Sequence, residues 1–160
     1  MTEIELLQQL VAIPSLSGQE HAAAECLSTA MRTFGLSSSI DKAGNAIGIR
    51  EQPDENGHIS QELVLLGHID TVPGDIPVHI EEGILFGRGA VDAKGPLAAF
   101  VAAAAQAELP QGTRVVVVGA VEEESATSKG ARFAVSQYDP DLCIIGEPSG
   151  CDGVTLGYKG

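Results

Sequence analysis

Apolar positions recur at helical spacing where the chain begins and then give way to short continuous runs separated by turns. Ile4, Leu7, Leu10 and Val11 form one stripe at a period near 3.6, which predicts a helix. Thr2 stands at the cap, and Glu5 three residues on completes a capping box. Pro14 and Ser15-Leu16-Ser17-Gly18 break the pattern. A second helix is expected from about Glu20 to Phe34. It carries Ala23, Leu27, Ala30, Met31 and Phe34 on one side and stops at Gly35.

Short strands follow. Ser38–Asp41 and Ala46–Arg50 flank Ala43-Gly44-Asn45, a hairpin signal. Glu51–Gln61 is polar and broken by Pro53 and Gly57, so it reads as a surface loop. Glu62–Gly67 is a continuous apolar run, as expected of a strand buried on both faces. Val78–Ile80 and Ile84–Phe86 predict a second hairpin around Glu81-Glu82-Gly83, and Ala93–Glu108 an Ala-rich helix. Arg114–Val121 is the clearest buried strand, with four consecutive valines. Lys129–Gln137 predicts a helix, Asp141–Gly146 another buried strand with Cys143 as a small core residue, and Thr155–Tyr158 the start of a further strand. Apolar strands alternating with helices define an α/β domain: a mixed, largely parallel sheet with helices on both faces. No internal repeat or low-complexity tract interrupts it.

In such sheets ligands sit at the carboxyl ends of the strands, and here each buried strand is followed by groups that bind cations. Gly67-His68-Ile69-Asp70 follows the first, Glu122-Glu123-Glu124 the second and Gly146-Glu147-Pro148 the third. His68 and Asp70, at i and i+2, point the same way in an extended segment. A carboxylate there can set the imidazole tautomer, although a surface His with a nearby Asp accounts for the pair equally well. His21, His58 and His79 have no such setting and are expected to face solvent. Gly87-Arg88-Gly89-Ala90-Val91-Asp92 lets the backbone bend tightly. Taken alone, Asp92 is best explained as a helix cap. The glycine spacing fits neither a phosphate loop nor a dinucleotide fingerprint. Three adjacent glutamates repel one another unless a cation is near, and an exposed acidic turn is the lesser reading. Glu147 alone would be an ordinary loop residue.

Composition narrows the choice. The chain has 160 residues, 44% hydrophobic and 19% charged, with a formal net charge of −13. A surface that acidic does not suit nucleic acid, whose phosphates need basic groups. No apolar segment reaches the ~20 residues needed to span a bilayer, and Met1–Leu10 lacks the basic start of a secretory signal. Cys26, Cys143 and Cys151 are odd in number and widely spaced, so no disulfide framework is expected and a reducing cytoplasm is the default location. His, Asp and Glu without Cys suit zinc or cobalt in a hydrolytic site.

Four ordered motifs resemble the dinuclear zinc aminoacylase family, which includes acetylornithine deacetylase and succinyl-diaminopimelate desuccinylase. They are Gly67-His68-Ile69-Asp70-Thr71-Val72-Pro73, Gly87–Gly95, Glu122–Glu124 and Gly146-Glu147-Pro148. Within the family, Glu122–Ser125, Ser128–Phe133 and Gly146–Gly150 look most like the amino-group-carrier-protein lysine/ornithine hydrolases. The resemblance implies two zinc ions, or cobalt, held by His68, Asp92, Glu124 and Glu147, with Asp92 bridging. It implies that Asp70 orients His68, that Glu123 is the general base, and that Glu147 holds the metal that His68 does not. The register is ambiguous in a triple Glu. Gly130, six residues after Glu124, favours Glu123 as base and Glu124 as ligand, with Glu122 and Glu123 as the alternative. Residues 1–153 would form the N-terminal part of the metal-binding domain. Residues 154–160 would begin an inserted lid and dimerisation domain, beyond which the family supplies a last His ligand. Without that His, little turnover is expected of these residues by themselves.

The implied activity is release of lysine or ornithine from a small N-acyl amino acid or a carrier protein, by a protein that is a homodimer when whole. A desuccinylase or metallopeptidase of the same family is the nearest alternative, and a non-catalytic metal-binding module the more distant one. A spare Glu beside the ligand Glu favours the catalytic readings.

Overall fold

The computed structural model describes residues 1–150 and 153–156. Its elements are α1 (Glu3–Ala12), α2 (His21–Thr33), β1 (Ser37–Ile40), β2 (Ala46–Gln52), β3 (Gln61–His68), β4 (His79–Glu81), β5 (Ile84–Phe86), α3 (Lys94–Gln106), β6 (Thr113–Ala120), α4 (Lys129–Val135) and β7 (Leu142–Ile145). The Thr2–Glu5 capping box closes as expected. Glu82 and Gly83 both have positive φ, which gives the two-residue turn of the β4–β5 hairpin the twist it needs.

A five-stranded sheet runs in the order β1-β2-β6-β3-β7. β6, β3 and β7 are parallel, and two antiparallel steps through β2 leave β1 running in their direction too. Only β2 is reversed, which matches the mixed, largely parallel sheet expected. Helices cover both faces. Leu6, Leu10, Leu27, Met31, Leu97 and Val101 pack with Leu65, Val115 and Val117 on one side. Ala134 of α4 packs with Val64, Val116 and Val118 on the other. Complete burial of Leu27 and Met31 contributes about 1.5–3 kcal/mol each. It requires bare backbone beneath them: a Cβ at Gly119 would lie 2.5 Å from Leu27 Cδ2, and one at Gly48 would collide with Met31 Sδ. A strand glycine costs about 0.5–1 kcal/mol relative to Ala, so the packing outweighs it.

Three expectations need correction. β2 continues to Gln52, into the segment read as loop. Arg114 on β6 bonds Glu51 at 2.6 Å and Glu62 at 3.0 Å across neighbouring strands, a pairing that a polar stretch conceals. Among the described residues β7 is not buried: it lies at the sheet edge, paired only to β3, and Leu142, Cys143, Ile144 and Ile145 are all exposed. Cys143 is therefore not a core residue. The strand expected at Thr155–Tyr158 is absent over Thr155 and Leu156, while Gly157 and Tyr158 lie outside the described residues, as does Cys151. His21, His58 and His79 are exposed, as anticipated. No helix among the described residues is long and apolar enough to cross a membrane.

Lys94 joins α1 to α3. It is 1% exposed, and its Nζ donates to Leu10 O at 2.9 Å and Ile13 O at 2.8 Å, where the last carbonyls of a helix lack partners. Burial lowers its pKa to about 8 from an ordinary 10.5. Between those values the unfolded chain binds the proton and the folded chain does not, so this residue's contribution to stability rises with pH. Relative to Lys94→Met, the stability of the parent is expected to grow as pH increases from 8 to 10.5, measured by urea unfolding. An unchanging difference would refute a buried ammonium.

Candidate metal centre

β3, β6 and β7 end side by side, and the residues that follow them meet at the carboxyl edge of the sheet. His68 closes β3 and is 1% exposed. Its Nδ1 donates to the backbone carbonyl of Asp70 at 3.0 Å, with Asp70 Oδ1 at 3.4 Å. That arrangement assigns Nδ1 as the protonated nitrogen and turns Nε2 toward the cleft. Around Nε2 lie Asp92 Oδ1 at 2.9 Å, Glu147 Oε1 at 3.6 Å and Glu123 Oε2 at 3.8 Å.

Asp70 is fully buried, and its carboxylate organises the next loop. Oδ1 accepts the Glu123 N–H at 3.0 Å, and Oδ2 accepts the Glu124 N–H at 3.0 Å and the Ser17 hydroxyl at 2.7 Å. Burial alone would raise its pKa, but the hydrogen bonds from His68, Ser17 and the two backbone amides outweigh it and hold the carboxyl below its ordinary value. The Asp70 carboxylate thus lies against His68 Nδ1 and anchors the backbone amides of two of the three glutamates.

The three glutamates part in space. Glu122 turns away: its carboxylate accepts the Thr127 hydroxyl at 2.7 Å and lies 3.5 Å from Lys129 Nζ. Glu123 and Glu124 remain at the cleft. Gly130 is needed for this turn because a Cβ there would collide with Asn45 and with the backbone of Val121. Asn45, fully buried, accepts from Val121 N and donates to Gly130 O, locking α4 against the end of β6.

Asp92 does not cap α3. The cap position is Ala93, with no side-chain bond, and the Asp92 carboxylate goes to His68 instead. Positive φ at Gly89, in contact with Thr71 and Lys94, lets the backbone carry it there.

The ligating atoms form two groups, each within 4.8 Å: His68, Asp92 and Glu124, and His68, Glu123 and Glu147. His68 falls in both groups, beside Glu124 in one and Glu147 in the other. Two donors on one zinc at about 2.0–2.1 Å and a tetrahedral angle stand about 3.3 Å apart, within the spread observed around Nε2. Electrostatics agree with a cation site. Burial, then the charge of Asp92, raises the pKa of Glu124, and burial with the carboxylates of Asp92, Glu123 and Glu124 raises that of Glu147. Burial disfavours charge on the His68 ring, but Asp70, Asp92 and Glu147 prevail and lift its pKa to about 9. Beside Asp92 and Glu124 opens a cavity of about 210 Å³, walled in part by Val72, Ile76, Arg88 and Val91.

Ser17, Glu20, Asn45 and Lys94 were not singled out from the sequence. Ser17 and Glu20 lie in a polar break between helices, a pattern common to any helix start, so no periodicity marks them.

One imidazole among carboxylates at the strand ends defines a divalent-metal-binding α/β domain. The chain belongs to peptidase family M20/M25/M40, whose model matches residues 64–159. It is 52% identical over 159 residues to a [LysW]-lysine hydrolase of Deinococcus radiodurans, covering 98% of this chain and 42% of that protein. It is 46% identical over 158 residues to a putative [LysW]-lysine/[LysW]-ornithine hydrolase of Thermococcus kodakarensis, covering 99% and 42%. The chain thus spans less than half the length of these relatives. Its fold matches aminopeptidase PepT from Bacillus cereus with a TM-score of 0.74 at 18% identity, over 92% of this chain and 43% of that one. It also matches the YXEP protein of Bacillus subtilis, titled a dinuclear metal binding peptidase from the M20 family, with a TM-score of 0.62 at 16% identity, over 84% and 38%.

Asp70→Asn would set an NH₂ group against the Glu123 or Glu124 amide and leave a buried donor unpaired. A loss of about 2–3 kcal/mol in folding stability is expected from urea unfolding, together with weaker retention of added cobalt. Unchanged cobalt binding would mean that Asp70 does not organise the centre.

Proposed function

We propose that this chain is the metal-binding part of an amidohydrolase that releases lysine or ornithine from a carrier-protein-linked precursor in amino-acid biosynthesis. The observation that carries the reading is the placement of two consecutive glutamates. Asp70 anchors both backbone amides, while Glu122 is drawn off to Lys129. That leaves one more carboxylate at the centre than metal binding requires, as a hydrolase with its own base needs. The carrier and the amino acid are proposed from the names of the similar proteins.

In this reading His68, Asp92, Glu124 and Glu147 would hold the two metals, a set whose donor atoms gather around His68 Nε2. A His from the rest of the protein, beyond an inserted lid and dimerisation domain beginning near residue 154, would complete the second site of a homodimer. Zinc is proposed for a nitrogen and oxygen donor set, with cobalt able to replace it. Three separated cysteines support a reducing cytoplasm.

When bound, two such ions supply Lewis acidity for the carbonyl and acidify a water. The chain's own residues do the rest. Asp70 fixes the His68 tautomer. Glu123 takes the proton of the attacking water and delivers it to the leaving amine, which expels a neutral amino group as the amide C–N bond breaks. The cavity beside Asp92 and Glu124 receives the substrate next to these groups.

In the full-length protein, Glu123→Gln is expected to lower kcat by about 10²–10⁴-fold while both metals stay bound. Glu124→Gln is expected to lose metal first. Metal content by atomic absorption, measured beside hydrolysis of LysW-linked lysine, checks both. Metal loss confined to Glu123→Gln would shift the register by one residue, and full activity of Glu123→Gln would overturn the proposal.

A further inference from the structure

The carboxylate of Glu20 has no role in the helix it precedes. Glu20 is the cap residue of α2 and makes no side-chain capping bond there. It is 5% exposed, and its Oε1 accepts the Gly18 N–H at 2.8 Å and, more than one hundred residues away in sequence, the Glu122 N–H at 3.0 Å. Three consecutive amides of the glutamate turn are thereby taken by three oxygens of two buried carboxylates: Glu122 by Glu20, Glu123 and Glu124 by Asp70.

The turn needs such a hold. Glu122 has φ of +56°, a left-handed conformation that costs a residue with a side chain about 1–3 kcal/mol and persists only when its surroundings impose it. This kink at the end of β6 sends the Glu122 side chain to Lys129 and leaves Glu123 and Glu124 facing His68. The single oxygen Oε1 of Glu20 accepts both amides, so it ties the Glu122 turn to the loop at Gly18. The loop carrying Glu20 is itself pinned beneath the site. Ser15 Oγ bonds Ile69 O at 2.7 Å, Thr71 N bonds Ser15 O at 2.9 Å, and Ser17 reaches Asp70.

We propose that Glu20 is a positioning residue: by accepting the Glu122 amide it sets the rotation of the Glu122–Glu124 turn and so aims Glu123 and Glu124 at the metal centre. The inference rests on the dinuclear reading above.

The test compares the parent full-length protein with Glu20→Ala, Glu20→Gln and His68→Ala, using cobalt titration followed by visible d–d absorption and steady-state kinetics. Glu20→Ala is expected to bind cobalt about 10–100-fold more weakly, with an altered d–d spectrum and a fall in kcat of about tenfold or more at a KM changed less than about threefold. Glu20→Gln keeps an acceptor oxygen of the same reach and is expected to stay within about threefold of the parent in both. If Glu20→Ala does not fold, Glu20→Asp, one methylene too short, replaces it under the same expectations. A variant that melts earlier yet binds cobalt and turns over like the parent would overturn the inference. So would Glu20→Gln failing as badly as Glu20→Ala. A parent that binds no cobalt, or binds it undiminished in His68→Ala, would overturn the dinuclear reading itself.

Discussion

The carboxylate of Asp70 is the group on which the rest of the site depends. It lies at 0% exposure, where an ionised carboxylate without partners would be very costly. It remains charged because it accepts from Ser17, Glu123 and Glu124 and lies against the His68 ring. Satisfying that single charge draws together the loop after α1, the extension of β3 and the turn after β6. The same contacts that make the burial tolerable create the metal-binding geometry.

The sheet makes this possible because β3, β6 and β7 are parallel and in register, so their ends stand at one level. Gly48 and Gly119 let α2 close over the strands, and Lys94 ties the end of α1 to the start of α3. The scaffold is apolar and well packed, while its edge concentrates negative charge around one imidazole. That edge is satisfied on its buried side and unsatisfied on its open side. The raised pKa of His68 and the raised pKa values of Glu124 and Glu147 express the same imbalance.

Sequence pattern alone revealed the helices, the valine strand and the sheet edge that carries His68, Asp70, Glu122–Glu124 and Glu147, whereas Asp92 was reached only through the family resemblance. The pattern could not separate Glu122 from its neighbours. Three identical residues carry no internal signal, and the choice turns on Thr127 and Lys129 in the turn that follows and on the distant Glu20. Nor could it show that Asp92 leaves its helix uncapped, because a cap and a ligand look alike one residue before an Ala-rich helix. An apolar run such as Leu142–Ile145 reads as buried, yet whether a strand lies at the centre or the edge depends on its neighbours in the sheet.

What the sequence by itself determined is therefore whatever follows from local period and residue chemistry: an α/β domain with cation-binding groups after three apolar runs. Tertiary structure decided which of those groups converge and which quiet residues hold them. Glu20 and Ser17 act across long stretches of chain, and Asn45 joins a hairpin to a helix 85 residues later. Such contacts leave no periodic trace, because a hydrogen bond between distant segments constrains their positions in space and not the spacing of residues along the chain.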